Sequence, residues 1–307
     1  MDKSYSNFFR RSIKKKDGAN IRAGFPRFKS KRRFKSFTYP QSGFEILPNG
    51  HLKLSKIGTV RMFKHREIGG TLKTCTIKRD AVGDWYAIFT TELPDVEKKR
   101  LRTAIGVDVG LEKLATLSTG ETIEPPKFLI KTEEKIRILQ RKLSKKKKGS
   151  ENRGKTRKRL AKAHRRVVRQ RDDFMHKSAK KMAERADVIV FENLNIRGMV
   201  QNGRLAKSIM DASWDKLIQY TTQKVEETAG QVVLVDPRGT SQICSKCGAT
   251  VKKSLSGRTH GCPNCGLLMD RDLNASLNIL GRLQAGGLEL LKTPMEFVPL
   301  PPQRWQV

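Results

Sequence analysis

Three acidic residues occupy sequence settings that could hold them rigidly. Asp108 lies in Ile-Gly-Val-Asp-Val-Gly, Glu192 follows Val-Ile-Val-Phe, and Asp272 lies in Asp-Arg-Asp-Leu-Asn-Ala-Ser. Carboxylates held together on rigid elements can bind divalent metal ions that act on a phosphodiester. We therefore predict that these three residues bind Mg²⁺ and carry out nuclease chemistry. Three acids suffice, because Mg²⁺ keeps several waters and phosphate oxygens as ligands.

The order of the elements around these acids supports the same prediction. Three consecutive strands come first, with Asp108 in the first of them; a helical segment, a strand ending at Glu192 and a later acid opening a helix follow. This is the order of an RNase H-type α/β fold. Asp187 and Asp236 bound strands and are interpreted as structural, while Asp270 stays open as an alternative to Asp272. Gly106 and Gly110 flank Asp108, and we expect them to let a phosphate backbone approach.

Four of the five cysteines form two Cys-x-x-Cys pairs, each followed by glycine. This spacing predicts a closed tetrahedral Zn²⁺ site that is structural and not catalytic. The predicted zinc ligands are Cys244, Cys247, Cys262 and Cys265. His260 lies close by in the sequence and is expected at the surface. Cys75 stands alone in a strand-like run, which favours a buried apolar residue.

The whole chain is strongly basic. Its 307 residues include 64 Lys and Arg against 30 Asp and Glu, a net charge of +34. Such an excess indicates a nucleic-acid partner, because phosphates release counterions when cations bind them; a membrane surface is the weaker alternative. We find no run of about 18 apolar residues that could span a membrane and no start of signal-peptide type. We therefore expect a cytoplasmic protein without a small-molecule substrate.

Residues 1–40 read as a basic, aromatic-rich arm, with 13 Lys and Arg and 8 of the 20 aromatic residues. Aromatic rings interleaved with cations suit base stacking and phosphate contact, although a mobile basic arm is the alternative. The predicted nucleic-acid contacts in this arm are Arg27, Lys29, Arg32, Arg33 and Lys35.

Residues 41–100 contain short strand-like runs between turn signals, which predict a small β-barrel. Residues 131–185 have helical periodicity broken near Gly149, which predicts a helical hairpin. This hairpin carries 23 Lys and Arg against 6 Asp and Glu, more than a merely solvated hairpin needs. Its predicted nucleic-acid contacts are Arg157, Arg165 and Arg169.

Downstream of Glu192 the pattern predicts a helix from Ser208 to Thr228, stopped by Gly230, and then the strand 231–235. After the cysteines, a helix is expected from about Asp272 to Leu280. The segment 283–307, rich in Gly and Pro, is expected to be a loose tail.

With these motifs in view, the chain resembles the TnpB (OrfB) family of insertion-sequence nucleases, which are related to type V CRISPR effectors. The resemblance is carried by seven stretches: Phe25-Pro-Arg-Phe-Lys-Ser, Ile105-Gly-Val-Asp-Val-Gly-Leu, Phe191-Glu-Asn-Leu-Asn-Ile-Arg-Gly-Met, Leu205-Ala-Lys-Ser-Ile, Val235-Asp-Pro-Arg-Gly-Thr-Ser-Gln, the cysteine pairs and Asp270-Arg-Asp-Leu-Asn-Ala. They cover roughly residues 20–282.

The resemblance implies a domain organisation and an activity. Residues 41–100 would be a wedge-like barrel, 101–240 and 269–282 a RuvC nuclease core, and 241–268 an inserted zinc ribbon. Asp108, Glu192 and Asp272 match the RuvC acids. The implied activity is RNA-guided, Mg²⁺-dependent cleavage of DNA beside a short transposon-associated motif, with guide RNA and target DNA as partners.

Family members usually have a longer N-terminal region, so the resemblance also implies an N-terminally shortened copy. Two alternatives to the guided endonuclease stay open at this point. One is a DNA- or RNA-binding regulator that does not cleave, and the other is a transposase that performs strand transfer with the same acids.

Overall fold

The computed structural model describes residues 2–27, 30, 33–97, 99–126, 128–201, 203, 205–252 and 257–285. They form two compact units, with the boundary between Pro94 and Asp95. Within these ranges, no helix combines the length and the apolar character that crossing a membrane requires.

In its described residues the first unit has one helix and six strands. These are α1 (Asp2–Lys16), β1 (Ser36–Tyr39), β2 (Phe44–Ile46), β3 (Leu52–Leu54), β4 (Gly58–Val60), β5 (Thr71–Arg79) and β6 (Trp85–Glu92). The strands form two three-stranded antiparallel sheets, β1-β5-β6 and β2-β3-β4. Leu52 and Leu54 of one sheet share a buried core with Cys75 and Ile77 of the other. Cys75 is fully buried, as predicted.

Two features of this unit differ from the prediction. The described strands pair as two separate sheets, so a single closed barrel is not confirmed. The predicted arm 1–40 contains the helix α1 and the strand β1, which pairs with β5. Its aromatic residues partly pack on one another, since the rings of Tyr5 and Phe8 lie edge-on to Phe25 with centroids 5.7 and 5.2 Å away.

The second unit alternates strands and helices. Its elements are β7 (Ala104–Val109), β8 (Ala115–Leu117), β9 (Thr122–Ile123), α2 (Phe128–Ser144), α3 (Glu151–Ala183), β10 (Val188–Glu192), α4 (Ile196–Met199), α5 (Ala206–Ala212), α6 (Trp214–Glu226), β11 (Gln231–Val235), β12 (Thr259–Gly261), β13 (Leu268–Asp270) and α7 (Arg271–Ala285).

A five-stranded sheet in the order β11-β10-β7-β8-β9 forms the centre of this unit. β10 is parallel to β7 and to β11, whereas β8 and β9 continue from β7 as an antiparallel meander. Helices cover both faces, as expected for strands that are apolar throughout. On one face Val107 and Phe191 pack against α3 and α6, including Met182 and Leu217. On the other face Val190 packs against α7.

The helical hairpin is present as α2 and α3. Ser150 caps α3, because its hydroxyl accepts from the amide of Arg153 at 3.2 Å. Arg153 in turn donates to the carbonyl oxygens of Leu143, in α2, and of Lys146, in the loop, which ties the start of α3 to the end of α2.

The helix predicted for 208–228 is two helices, α5 and α6. Ser213 separates them with a left-handed backbone, at φ 52°. Gly230 also does not end the helix through a left-handed conformation, as was predicted. Ala229, at φ 57°, takes the left-handed conformation. A Cβ at Gly230 would lie 2.4 Å from the carbonyl oxygen of Asp187, so Gly230 serves close packing.

Candidate nuclease and zinc sites

Asp108 and Glu192 lie side by side at one edge of the central sheet. β7 and β10 are parallel, and their last registered pair is Val107 with Phe191. The next residue on each strand is the acid. Because side chains alternate along a strand, both acids share the face of Gly106 and Val190, which α7 covers. The strand pairing thus brings together two acids that are 84 positions apart in the sequence.

Asp272 approaches the same edge from α7. A Cβ built at Gly106 would lie 2.1 Å from the carbonyl oxygen of Ser276, so α7 lies directly on β7. Further along, Leu283 packs near the beginning of the strands with Val188. The helix therefore runs antiparallel to β7, and its first turn, with Asp272, lies toward Asp108.

The electrostatics of Asp108 reflect this crowding of acids. Burial, and then the negative charges of Glu192 and Asp272, raise the pKa of Asp108 to about 8, although Arg271 lowers it. Burial also raises the pKa of Glu192, and it outweighs the hydrogen bond from Thr240 and the charge of Arg282. Mutual repulsion among buried carboxylates is what a bound cation relieves, so these acids fit a divalent metal ion.

Two arginines contact Asp272. The guanidinium of Arg258 lies 3.6 Å from one carboxylate oxygen and also pairs with Glu112. Arg271 Nε donates to the other oxygen at 3.4 Å. In the described structure, cations therefore partly offset the charge of Asp272.

The competing acids have other contacts. Asp270 Oδ1 accepts from the amides of Asp272 and Leu273 at 2.9 and 3.2 Å, and Oδ2 pairs with Lys113 at 2.7 Å. Although burial raises the pKa of Asp270, the hydrogen bond and charge of Lys113 and the two amides lower it overall. Asp270 is therefore the cap of α7.

Asp187 and Asp236 also make local structural contacts. Asp187 accepts from the amides of Arg102 and Thr103 at 2.9 and 3.2 Å and pairs with Lys99 at 2.6 Å. Asp236 accepts from the amide of Arg238 at 3.1 Å.

The expected role of Gly106 beside Asp108 is wrong. Gly106 is filled from the side by α7 and faces no open space. A Cβ at Gly110 would lie 2.9 Å from the carbonyl oxygen of Lys113. Gly106 therefore permits the packing of α7 and not the approach of a phosphate, and the close neighbour of Gly110 is also protein backbone.

Sequence reasoning missed Thr240. Its hydroxyl donates to Glu192, and its carbonyl oxygen accepts from the side chain of Asn278 at 2.8 Å. Asn278 and Asn274, one helical turn apart on α7, both bind the carbonyl oxygen of Ile243. Two asparagines at i and i+4 inside a helix were the available signal, because buried amides need partners.

The four predicted cysteines come together. Their Sγ atoms all lie within 4.8 Å of one another, and the Cys244–Cys265 and Cys247–Cys262 pairs are 3.6 Å apart. Tetrahedral Zn–S bonds of ~2.3 Å imply sulfur separations of about 3.8 Å. The cluster therefore has the donor set and the spacing to hold zinc.

Each cysteine pair forms a tight knuckle. Gly248 and Gly266 have φ of 74° and 69°, and their amides donate to the carbonyl oxygens of Cys244 and Cys262, each at 2.9 Å. The strands β12 and β13 flank the second knuckle and pair in antiparallel fashion from Gly261–Leu268 to Thr259–Asp270. The expectation of a surface His260 is wrong: this residue of β12 is fully buried.

Among the described residues, the cysteines are the only group of three or more metal-binding side chains packed this closely.

The predicted nucleic-acid contacts are largely at the surface. Arg27, Arg33 and Lys35 are exposed, whereas Lys29 and Arg32 lie outside the described residues. On α3, Arg157 and Arg169 are exposed and Arg165 is half-buried.

The last helix also differs from its prediction. α7 continues to Ala285 with Leu283 buried, so the expected loose tail does not begin at 283; residues 286–307 lie outside the described residues.

Comparison with known proteins places these motifs in a family. A protein of Streptomyces pristinaespiralis named "Putative RNA-guided DNA endonuclease" is 33% identical over 283 residues, covering 90% of this chain and 67% of that protein. "Putative RNA-guided DNA endonuclease InsQ" of Escherichia coli K12 is 31% identical and covers 97% of this chain and 78% of that protein. This chain belongs to the TnpB (OrfB) family.

Two family models also match the chain, and one solved structure resembles its fold. The OrfB family described as "Probable transposase" matches residues 88–203, and "Cas12f1-like, TNB domain" matches residues 214–279. The TnpB-family chain is also similar to the protein in the "Cryo-EM structure of the Cas12f1-sgRNA-target DNA complex", with TM-score 0.50 and 20% identity. That likeness covers 68% of this chain but only 45% of the Cas12f1 chain, and it concerns the fold.

Proposed function

We propose that this protein is an RNA-guided DNA endonuclease of RuvC type that acts in transposition and DNA recombination. The observation that carries the proposal is the meeting of Asp108, Glu192 and Asp272 at one sheet edge, where the charges of the other two raise the pKa of Asp108. The names of the relatives supply the substrate class, RNA-guided cleavage of DNA.

Each acid has a role in the proposed site. The adjacent strands hold Asp108 and Glu192, and α7 brings Asp272 toward them, so that the three can bind Mg²⁺. The chemistry that bound Mg²⁺ supplies is activation of water and stabilisation of the leaving oxygen. The half-buried setting of Asp108 limits access of bulk water, which strengthens the electrostatic interactions of the site.

The rest of the chain supplies binding and support. The cysteine cluster would hold a structural Zn²⁺, since all four tetrahedral positions are filled by thiolates. The tip of the α2–α3 hairpin, residues 141–159, has 11 Lys and Arg against one acid. This charge suits guide RNA or target DNA backbones. In domain terms, we propose a nuclease core at 101–240 and 269–282, a ribbon at 241–268 and a wedge-like unit before them.

The deciding experiment is purification of the chain with co-expressed RNA, sequencing of the retained RNA, and cleavage of plasmid libraries that carry matching targets. We expect cleavage that requires Mg²⁺ and the matching guide. Asp108→Ala and Glu192→Ala should abolish cleavage while RNA affinity stays within about twofold, because neither acid contributes attraction to phosphates. Cleavage that survives either substitution would remove this site assignment.

The same assay separates the two alternatives. A binding regulator would retain RNA or DNA without Mg²⁺-dependent cuts. A strand-transfer transposase would join the cut ends to a second DNA, whereas hydrolysis leaves them free.

A further inference from the structure

Thr240 touches the proposed site without being one of its acids. It lies in the segment after β11 and is 2% exposed. Its hydroxyl lies within hydrogen-bond distance of Oε1 of Glu192 and, at 3.1 Å, of the carbonyl oxygen of Pro237; the carboxylate is the nearer acceptor. Glu192 is itself 8% exposed. A hydrogen bond between two buried groups has little competition from water and therefore fixes the orientation of the carboxylate.

Thr240 is itself anchored by α7. Asn278 Nδ2 donates to the carbonyl oxygens of Thr240 and Ile243 at 2.8 and 2.7 Å. Asn274 adds a second tie, since its side chain donates to Ile243 at 2.8 Å and accepts from the amide of Ser245 at 3.0 Å. The helix that carries Asp272 therefore also fixes the residue that holds Glu192.

The hydrogen bond leaves half of the carboxylate available. Within the described residues, Oε2 of Glu192 accepts no hydrogen bond. A carboxylate with one oxygen fixed by Thr240 and the other free of hydrogen bonds has a defined orientation toward a cation.

We propose that Thr240 is a positioning residue that orients Glu192 for a divalent ion and, through Asn278, keeps Glu192 in register with Asp272. This inference rests on the proposed function, because it assumes that Glu192 binds the metal. Partners that orient a metal ligand in this way contribute about 10- to 100-fold to metal affinity or activity.

The test compares four variants of the full zinc-loaded chain. Thr240→Val removes the hydroxyl at nearly constant volume, Thr240→Ala removes it without any risk of a clash, and Thr240→Ser keeps it. Thr221→Val is the matched control, because Thr221 is equally buried and its hydroxyl has no hydrogen-bond partner in the described residues. The probe is Mn²⁺, with binding followed by electron paramagnetic resonance and folding by thermal melts.

We expect Thr240→Val and Thr240→Ala to weaken Mn²⁺ binding about 10- to 100-fold. Thr240→Ser and Thr221→Val should stay within about twofold of the wild type, since each retains the hydrogen bond to Glu192. In the cleavage assay the first two variants should require more Mg²⁺ for half-maximal rate. If Thr240→Val fails to fold, the Mn²⁺ affinity of Thr240→Ala tests the role of the hydroxyl.

The outcomes separate the inference from the proposed function. Wild-type affinity for Mn²⁺ in a folded Thr240→Ala protein would overturn the role of Thr240, even if guided cleavage is observed. Weakened Mn²⁺ binding in a chain that never cleaves DNA would support Thr240 and overturn the endonuclease. A wild-type chain that binds no Mn²⁺ would overturn both.

Discussion

Gly106 of β7 lies so close to Ser276 of α7 that a Cβ on the glycine would approach the serine carbonyl oxygen to 2.1 Å. The same Cβ would lie 2.8 Å from the amide nitrogen of Leu280. Backbone atoms cannot move aside as a flexible side chain can. The distance between Asp108 and Asp272 is therefore set by the absence of a side chain at residue 106.

This contact predicts the effect of a single methyl group. Gly106→Ala should displace α7, lower the free energy of unfolding by about 1–3 kcal/mol as overpacking does, and reduce cleavage more than RNA binding. Urea unfolding and the cleavage assay measure the two effects. Gly154→Ala is the matched control, because a Cβ there meets nothing within 4 Å; it should be neutral or stabilising by up to about 1 kcal/mol. Equal behaviour of both variants would contradict the packing argument.

Substitution of Asp270 should affect stability, whereas substitution of Asp272 should affect cleavage. Asp270→Ala removes the cap of α7 and the pair with Lys113, so we expect a loss of about 1–2 kcal/mol in stability. Asp272→Ala should leave the melting temperature nearly unchanged and abolish cleavage. Melts and cleavage rates on both variants test this division, and the opposite result would make Asp270 the third catalytic acid.

The raised pKa of Asp108 predicts a pH dependence of stability. In the metal-free protein Asp108 keeps its proton up to about pH 8, whereas the unfolded chain loses it near pH 4. The folded state thus binds the extra proton between these values, so this contribution to stability falls as pH rises across that window.

Melting temperatures of wild type and Asp108→Asn, measured from pH 5 to 8 without Mg²⁺, check this sign. As the pH rises, the melting temperature of Asp108→Asn should increase relative to that of the wild type. Added Mg²⁺ should restore the melting temperature of the wild type at high pH. Parallel curves for the two proteins would show that Asp108 ionises normally.

The cysteine cluster predicts one zinc ion per chain. Cys244→Ser should lower zinc content and increase hydrogen exchange in the knuckles and in the segment around Ile243, because this segment leads directly into Cys244. Cys75→Ser is the control, since Cys75 lies in the other unit and should leave zinc content unchanged. A purified wild-type chain without zinc would refute the assignment.

The hairpin predicts a salt effect. Changing Arg157, Arg165 and Arg169 to Gln should weaken RNA binding and reduce the slope of log affinity against log salt by about 2–3, for three lost phosphate contacts. The control changes Lys53, Lys73 and Lys224 to Gln, because this removes the same number of positive charges outside the hairpin. An unchanged slope in the arginine variant would remove the hairpin from the interface.

Local patterns predicted much of this fold. The apolar runs that lead to Asp108 and Glu192 can be recognised within a few residues of sequence, and so can the cysteine pairs. The structure contains the strands and the cluster that these patterns indicate. Distant contacts explain the failures. No residue near Gly106 in the sequence indicates that the backbone of α7 will pack directly against this glycine. The cations and aromatic rings of residues 1–40 hid the helix α1, and the left-handed Ser213 splits a segment whose periodicity reads as one helix.

The α2–α3 hairpin is inserted between the strands β9 and β10. α3 has 33 residues, so its length is about 50 Å at 1.5 Å per residue. Its charged tip lies at the far end from the residues that pack on the sheet. Removing two turns from each helix would shorten the projection by about 10 Å while leaving the three acids in place. The reach of the basic surface can thus be redesigned separately from the chemistry.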